Sequence, residues 1–397
     1  MKKLEDAYKA CFKDSEPAYH IFSPYCVCPL GAHVDHQHGL VTGFALDRGI
    51  DILFSPTEDG QVVMVSTLFG GQITLNVRET THKIDYNWGD YLRGALWVIQ
   101  QKYKLHQGLQ GVVIGSMPSG GIASSAALLC GFVAALAHVN GLVLSQEEIV
   151  SIAFRAEHHY IGLNNGILDQ SCVTLCKKNQ LLFLDTETSE HRLIPFGDDD
   201  AEEREVPFKI AIFYSGVTRS LTNTDYNLRV EECRTAASIL QAYEEQTPGT
   251  DDHLLRHTSQ QVFERYATSM PPRFARRARH FFTECDRVRE GINAWQEGDI
   301  EQFGELIFES CESSILNYES GSPQLIALYR ILRSTPGVYG ARFCGAGFIG
   351  SCFALIDPDE EGAIRERLAS EYLQQFPMYG DAIRSFICES HGGLEWL

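Results

Sequence analysis

An α+β protein of two domains is the fold class that this sequence predicts, and three observations predict it. The chain has 397 residues, more than one core usually covers. Short β-branched runs crowd the first third, amphipathic helical segments fill residues 227–333, and strands return near the end. A polar stretch at 196–206, FGDDDAEEREV, separates the two patterns and places domains over 1–205 and 206–397. Each half mixes helices with sheet.

The elements follow in order. The start, MKKLEDAYKACFKD, alternates charge with apolar residues; it lacks the apolar core of a signal peptide and reads as an amphipathic helix. DILFSP (51–56), QVVMVST (61–67) and QITLNVR (72–78) read as strands, and a helix covers Gly89 to Lys104. Strand QGVVIGSM (110–117) runs into a loop of small residues and then an apolar helix from near Ile122. Ser145 with Glu148 three residues on forms a capping box for a helix that ends near Gly162. Past the polar stretch come strand 208–216, helices near 227–243, 274–296, 299–315 and 323–333, and strands 338–344 and 351–357. A helix near 360–374 and strand 384–390 complete the pattern.

Composition narrows the partners. A net charge of −19 and a pI of about 5.1 repel phosphate backbones and anionic lipid, which excludes nucleic acid and membrane surfaces as partners. Twelve cysteines with no C-x-x-C pair make no disulfide or zinc framework and fit a reducing cytoplasm. No Asp, Glu, Lys or Arg occurs from Leu105 to Gln146, but Gly120, Gly121, His138 and Asn140 bound the apolar run. A buried core helix therefore accounts for it better than a membrane span.

Four segments can carry chemistry. In SMPSGGIASSAALLCGF (116–132) a strand enters a Gly/Ser loop and then a helix. Gly120 and Gly121 allow close backbone approach, the new helix offers free N–H groups to an anion, and Ser124 and Ser125 add hydroxyls. A plain Gly/Ser turn capping a buried helix is the alternative, and no G-x-x-x-x-G-K-[ST] motif occurs. In RAEHHYIGLNNGILDQS (155–171), Glu157 stands near a helix C-terminus, where its charge opposes the dipole by roughly 0.3–1 kcal/mol unless a cation compensates. Asp169 stands where the next helix starts, after the Asn164-Asn165-Gly166 turn. CPLGAHVDHQHGL (28–40) places His33, Asp35, His36 and His38 within six positions. The spacing matches no structural zinc pattern, so a polar loop in which Asp35 and His33 meet sugar hydroxyls is favoured over zinc, with a plain solvated loop as the alternative. GAGFIG (345–350) fits G-x-G-x-x-G, but a strand follows it rather than a helix, which rules out a dinucleotide fingerprint.

Taken together, these segments resemble the GHMP kinases. SPYCVCPLGAHVDH resembles the galactokinase sugar-binding signature, GGIASSAAL the nucleotide loop, GILDQS the segment holding the catalytic aspartate, and ARFCGAGFIGSC the third glycine motif. CPLGAHVDHQ, NNGILDQS, YNLRVEEC and PGVYGARFCGAGF resemble the galacturonokinase branch. The resemblance implies a two-domain GHMP kinase fold, with an N-terminal mixed-sheet domain, a C-terminal ferredoxin-like α/β sandwich and the site between them. It implies ATP- and Mg²⁺-dependent phosphorylation of a sugar's anomeric hydroxyl, with D-galacturonate ahead of galactose or another sugar. Asp169 would be the base, and Ser125 and Glu157 would hold Mg²⁺. Gly120, Gly121, Ser124, Gly345 and Gly347 would cradle phosphates, and Ala32, His33, Asp35 and Tyr226 would contact the sugar.

Three departures stand out. Cys26 occupies the place of an arginine that in the family steadies the catalytic aspartate, and a sugar-binding sensor without turnover is the reading this favours. Pro118 stands one place closer to Gly121 than the family's loop proline. Ala32 replaces a glutamate that contacts the C6 hydroxyl in galactokinases. Two like charges about 4 Å apart cost about 4 kcal/mol at an effective dielectric near 20, so alanine here suits a C6 carboxylate. Arg219 and Arg229 are the candidates to pair with that carboxylate.

Overall fold

Two sheets organise the chain. A computed structural model describes residues 2–13, 15–67, 69–79, 84–197, 205–217, 225–244, 253–348 and 350–397. The first part runs α1 (Lys2–Cys11), β1 (Tyr19–Val27), β2 (Leu40–Thr57), β3 (Gln61–Ser66), β4 (Gln72–Asn76), α2 (Gly89–Gln100), β5 (Gly108–Gly115), α3 (Ser124–Val139), α4 (Gln146–Arg155), α5 (Leu168–Leu175), β6 (Gln180–Asp185) and β7 (His191–Pro195). The second part runs β8 (Lys209–Tyr214), α6 (Tyr226–Tyr243), α7 (Gln260–Tyr266), α8 (Pro272–Glu297), α9 (Ile300–Ser313), α10 (Pro323–Arg333), β9 (Val338–Phe343), β10 (Ser351–Ile356), α11 (Glu361–Gln375), β11 (Arg384–Cys388), β12 (Ser390–His391) and β13 (Glu395–Trp396).

The first sheet is mixed. Its main path is β13-β1-β2-β5-β3-β4, with β3 and β5 parallel and the other neighbours antiparallel. β2 is long enough to serve two sets of partners. Its start pairs with β6 through Leu40↔Asp185, and its end lies between β1 and β5 through Ile52↔Ile21 and Ile52↔Val113. Gly49 permits this crossing, because a Cβ there would stand 2.3 Å from the Ser23 carbonyl oxygen. On one face lies α3, buried without interruption from Ala126 to Ala137 and packed by α2, α4, α5, β1 and β2. Complete burial of Leu128, Leu129, Phe132 and Leu136 stabilises the fold by roughly 1.5–3 kcal/mol each. The apolar run thus answers to a protein interior, and among the described residues no helix is long and apolar enough to cross a membrane.

The second sheet is antiparallel in the order β11-β8-β10-β9, and its βαββαβ connectivity is ferredoxin-like. Helices α6 to α9 form an insertion between β8 and α10. Within it, α8 packs on β2 and β7 and joins the two halves. Its Trp295 is fully buried against Phe44, Phe196 and Phe208, and donates to the Ile194 carbonyl at 2.8 Å. The end of the chain returns to the first sheet, where β12 pairs with β2 and β13 with β1. Residues 390–396 therefore belong to the first sheet although they lie beyond the polar stretch at 196–206, of which 198–204 are outside the described residues. All twelve cysteines are free thiols, and Cys11 alone among them is exposed.

Candidate active site

Where the two sheets approach, one cavity of about 170 Å³ collects most of the expected residues. Its wall takes Cys26 and Val27 from the end of β1, Ala32, His33 and Asp35 from the following loop, and Gly121, Ser124 and Ser125 from the loop into α3. Glu157, Asn165, Gly166 and Asp169 come from the α4–α5 region, Tyr226 from the start of α6, and Arg342 and Gly345 from the end of β9. The register of β1 against β2 shifts between Pro24 and Cys26, just where β1 enters this wall.

The two glycine motifs support each other. Gly121 has φ +81°, and a Cβ on it would lie 2.7 Å from the Cys344 carbonyl oxygen. Gly350 rests on Gly120 in the same way, and Ser351 Oγ donates to the Gly120 carbonyl at 2.8 Å. The turn at 345–350 joins β9 to β10 and buttresses the loop before α3. Gly345 reaches the cavity wall, whereas Gly120 and Gly347 stand behind it, Gly347 against Phe343 and Ser320. Ala123 takes a left-handed conformation (φ +57°) and starts α3, whose first N–H groups lack intrahelical partners.

Opposite this loop lie the carboxylates. The capping box forms as expected: Ser145 Oγ accepts from Glu148 N at 3.2 Å and Glu148 Oε2 from Ser145 N at 3.1 Å. α4 then widens into a π-helical turn over Ala156–Ile161, which Gly162 ends at φ +84°. Glu157 in this turn is 1 % exposed. Burial holds its carboxyl above the ordinary range, against hydrogen bonds from Ser125, Asn165 and Gln170. Asn165 and Gln170 both donate to Glu157 Oε2, at 2.8 and 2.6 Å. Their own oxygens, Asn165 Oδ1 and Gln170 Oε1, are buried without a hydrogen-bond partner among the described residues. Ser125 and Glu157 with these amides form an all-oxygen donor set beside an anion loop, and that chemistry fits a hard cation such as Mg²⁺.

Asp169 sits in the first turn of α5. Its pKa is pushed up to about 7, first by burial and then by the charges of Glu157 and Asp35. The Cys26 thiol lies 3.9 Å from Asp169 Oδ1 and is itself pushed up to about 11, so it brings no charge. No cation acts on Asp169 among the described residues.

The loop after β1 is buried as well, with His33 7 % exposed. His33, at φ +58°, stacks on Tyr318 with ring centroids 4.3 Å apart and planes 5° apart. Burial, followed by the positive charge of Arg342, holds His33 well below its ordinary pKa, so it is neutral and its unpartnered Nε2 can donate or accept. Asp35 is raised to about 6 by burial, against backbone hydrogen bonds. His36 and His38 do not join them: His36 Nε2 meets the Tyr318 hydroxyl at 3.1 Å, and the His38 ring faces His257 at 6.2 Å.

Several site residues were not singled out by the sequence. Gly166 matters because a Cβ there would stand 2.3 Å from Asp35 Cγ. Gly166→Ala is expected to displace Asp35 and raise KM for the sugar about tenfold, with KM for ATP changed little; steady-state kinetics in each substrate checks this. Arg342 is a cavity-wall residue that sequence reasoning passed over, although it stands in the quoted motif ARFCGAGFIGSC. Of the two arginines expected to meet a substrate carboxylate, Arg219 lies outside the described residues. Arg229 is not in the cavity wall and pairs with Glu232 at 3.2 Å and Asp225 at 4.0 Å.

Comparison with known proteins fits this arrangement. Residues 90–177 match the N-terminal domain of the GHMP kinases and residues 289–374 their C-terminal domain. The chain is 38% identical to a galacturonokinase of Arabidopsis thaliana, covering 93% of this chain and 91% of that one. It is 31% identical to a galactokinase of Pyrococcus furiosus, over 89% and 93% of the two chains. The crystal structure of Lactococcus lactis galactokinase complexed with galactose superimposes with a TM-score of 0.89 at 26% identity, covering 100% of this chain and 99% of that one. The chain belongs to the GHMP kinase family, among its sugar kinases.

Proposed function

We propose that the protein transfers the γ-phosphoryl group of ATP to the anomeric hydroxyl of D-galacturonate. The observation that carries the transfer chemistry is Asp169, which faces the cavity between the sugar loop and the glycine loop with a pKa near 7. A base matched to neutral pH can take the hydroxyl proton as the oxygen attacks phosphorus. Asp35 accepts from sugar hydroxyls, and neutral His33 fixes a further one. Tyr226 closes the wall beside them. The loop at 118–124 receives the phosphates on backbone N–H groups and the dipole of α3. Ser125 and Glu157 would hold Mg²⁺, which when bound neutralises phosphate charge. Proximity and alignment supply the rest of the rate.

Galacturonate is favoured over galactose by the likeness to a galacturonokinase and by Ala32, whose side chain brings no carboxylate of its own to the C6 position. A sensor without turnover would need neither a base near neutrality nor an oxygen set for a metal. The test is ADP release in a coupled assay over galacturonate, galactose, glucuronate and glucose. Galacturonate is expected to give the highest kcat/KM. A higher value for galactose would leave a sugar kinase but remove the uronate reading, and no ADP release with any sugar would remove catalysis.

A further inference from the structure

We propose that Arg342 binds the C6 carboxylate of the hexuronate. The inference rests on the uronate reading and names the group that executes it.

The described cavity wall carries three carboxylates, Asp35, Glu157 and Asp169, and one Lys or Arg side chain, Arg342. An anionic substrate entering such a wall is repelled nearly everywhere and needs a buried cation to replace its lost hydration. Arg342 is 1 % exposed and shares the cavity wall with Ala32. The link runs through one atom: Glu284 Oε1 accepts from Ala32 N at 3.1 Å and lies 3.7 Å from Arg342 Nη1. The Ala32 backbone and the guanidinium therefore share one carboxylate oxygen. His33 feels the same charge, which helps to hold it neutral.

The charge count around Glu284 supports a further anion. Glu284 is buried and pairs with Arg287 at 2.7 Å as well as with Arg342. His280, with a pKa lowered to about 4 by burial, adds no charge at neutral pH. Two guanidinium groups thus meet one carboxylate. Arg342 is held on one side, with Nη1 donating to Ser310 Oγ at 2.6 Å and Nε to the Phe343 carbonyl at 3.3 Å. Among the described residues its hydrogen bonds run through Nε and Nη1. The protein fixes the guanidinium plane and leaves donor capacity for a ligand oxygen.

The test compares kcat/KM for galacturonate with that for galacturonamide, its neutral isostere, in the full-length wild type, Arg342→Gln and Arg342→Lys. Wild type is expected to favour the acid. Arg342→Gln is expected to lower the acid-to-amide ratio roughly 100-fold, and Arg342→Lys, which keeps a charge for Glu284 but loses the planar fork, about tenfold. A wild type that uses amide and acid equally, or folded variants whose ratio stays at the wild-type value, overturns the assignment. If Arg342→Gln does not fold, Arg342→Lys decides in the same way. Failure of the uronate reading looks different: wild type would turn over galactose and not galacturonate.

Discussion

Asp169→Asn is expected to lower turnover by about 10²–10⁴-fold and, in the same molecule, to stabilise the sugar-free fold at pH 8. The first effect follows from the proposed role of Asp169, because asparagine keeps the shape and loses the base. The second follows from where the carboxylate sits. Its pKa is raised from 3.8 to about 7 by burial and by two neighbouring carboxylates, so the folded state prefers it protonated. Sign and window are then fixed. Stability is lost progressively as pH rises from about 4, where the unfolded chain releases the proton, to about 7, where the folded protein does. Three units correspond to about 4 kcal/mol, and asparagine is expected to recover about 2–4 kcal/mol of it at pH 8. At pH 5 the folded carboxyl is protonated and the gain falls by about half or more. Thermal unfolding of both proteins at pH 5 and 8, with turnover measured at pH 8, checks both halves. Near-normal turnover in Asp169→Asn would remove the base assignment, and a stability difference independent of pH would remove the buried-charge account.

What the sequence made legible divides by the range of the interactions that determine it. The capping box of α4, the glycine turn before α3 and the amphipathic helices from 226 to 333 are local patterns, and each lies within a few residues of its expected place. β1 was not legible as a strand. Its Ser23 and Pro24 interrupt the pattern, and helices and neighbouring strands bury much of both faces, so no alternation shows. Ser23 is accommodated only because its hydroxyl donates to the Ala127 carbonyl at 2.7 Å, a partner 104 residues away. β6 and β7 were likewise missed, and β12 and β13 are two-residue pairs that exist through the first sheet. The same rule holds in the site. Glu157, Asp169, His33 and Asp35 stand in motifs whose spacing sets local backbone geometry. Arg342 acquires its place through Glu284, whose oxygen also holds Gly31, 253 positions before Glu284 in the chain. No local pattern contains that information.

Cys26→Arg is expected to shift the acid limb of the pH profile for kcat/KM in sugar downward by about two units and to raise the rate at pH 5.5 about 20–30-fold, with little change above pH 8. The thiol sits 3.9 Å from Asp169 Oδ1 and is neutral, because burial raises it to about 11. Of the charges that act on Asp169, those of Glu157 and Asp35 are both negative. Arg342 does not relieve them, because its charge is not among those that act on Asp169. A base with a pKa near 7 is about 3% ionised at pH 5.5, and an adjacent guanidinium that lowers the pKa to about 5 makes most of it available. Above pH 8 the wild-type base is already ionised, so the same substitution has little left to gain. If Asp169 is the base, the neutral cysteine places the acid limb about two pH units above where an arginine would place it. Profiles from pH 5 to 9 at saturating Mg²⁺ and ATP, on wild type and Cys26→Arg, measure the limb directly. An unmoved limb in an active, folded variant would mean that ionisation of Asp169 does not set it. A folded variant inactive throughout the range would mean that the guanidinium takes space the sugar needs, and that the site works as built around a neutral side chain at position 26.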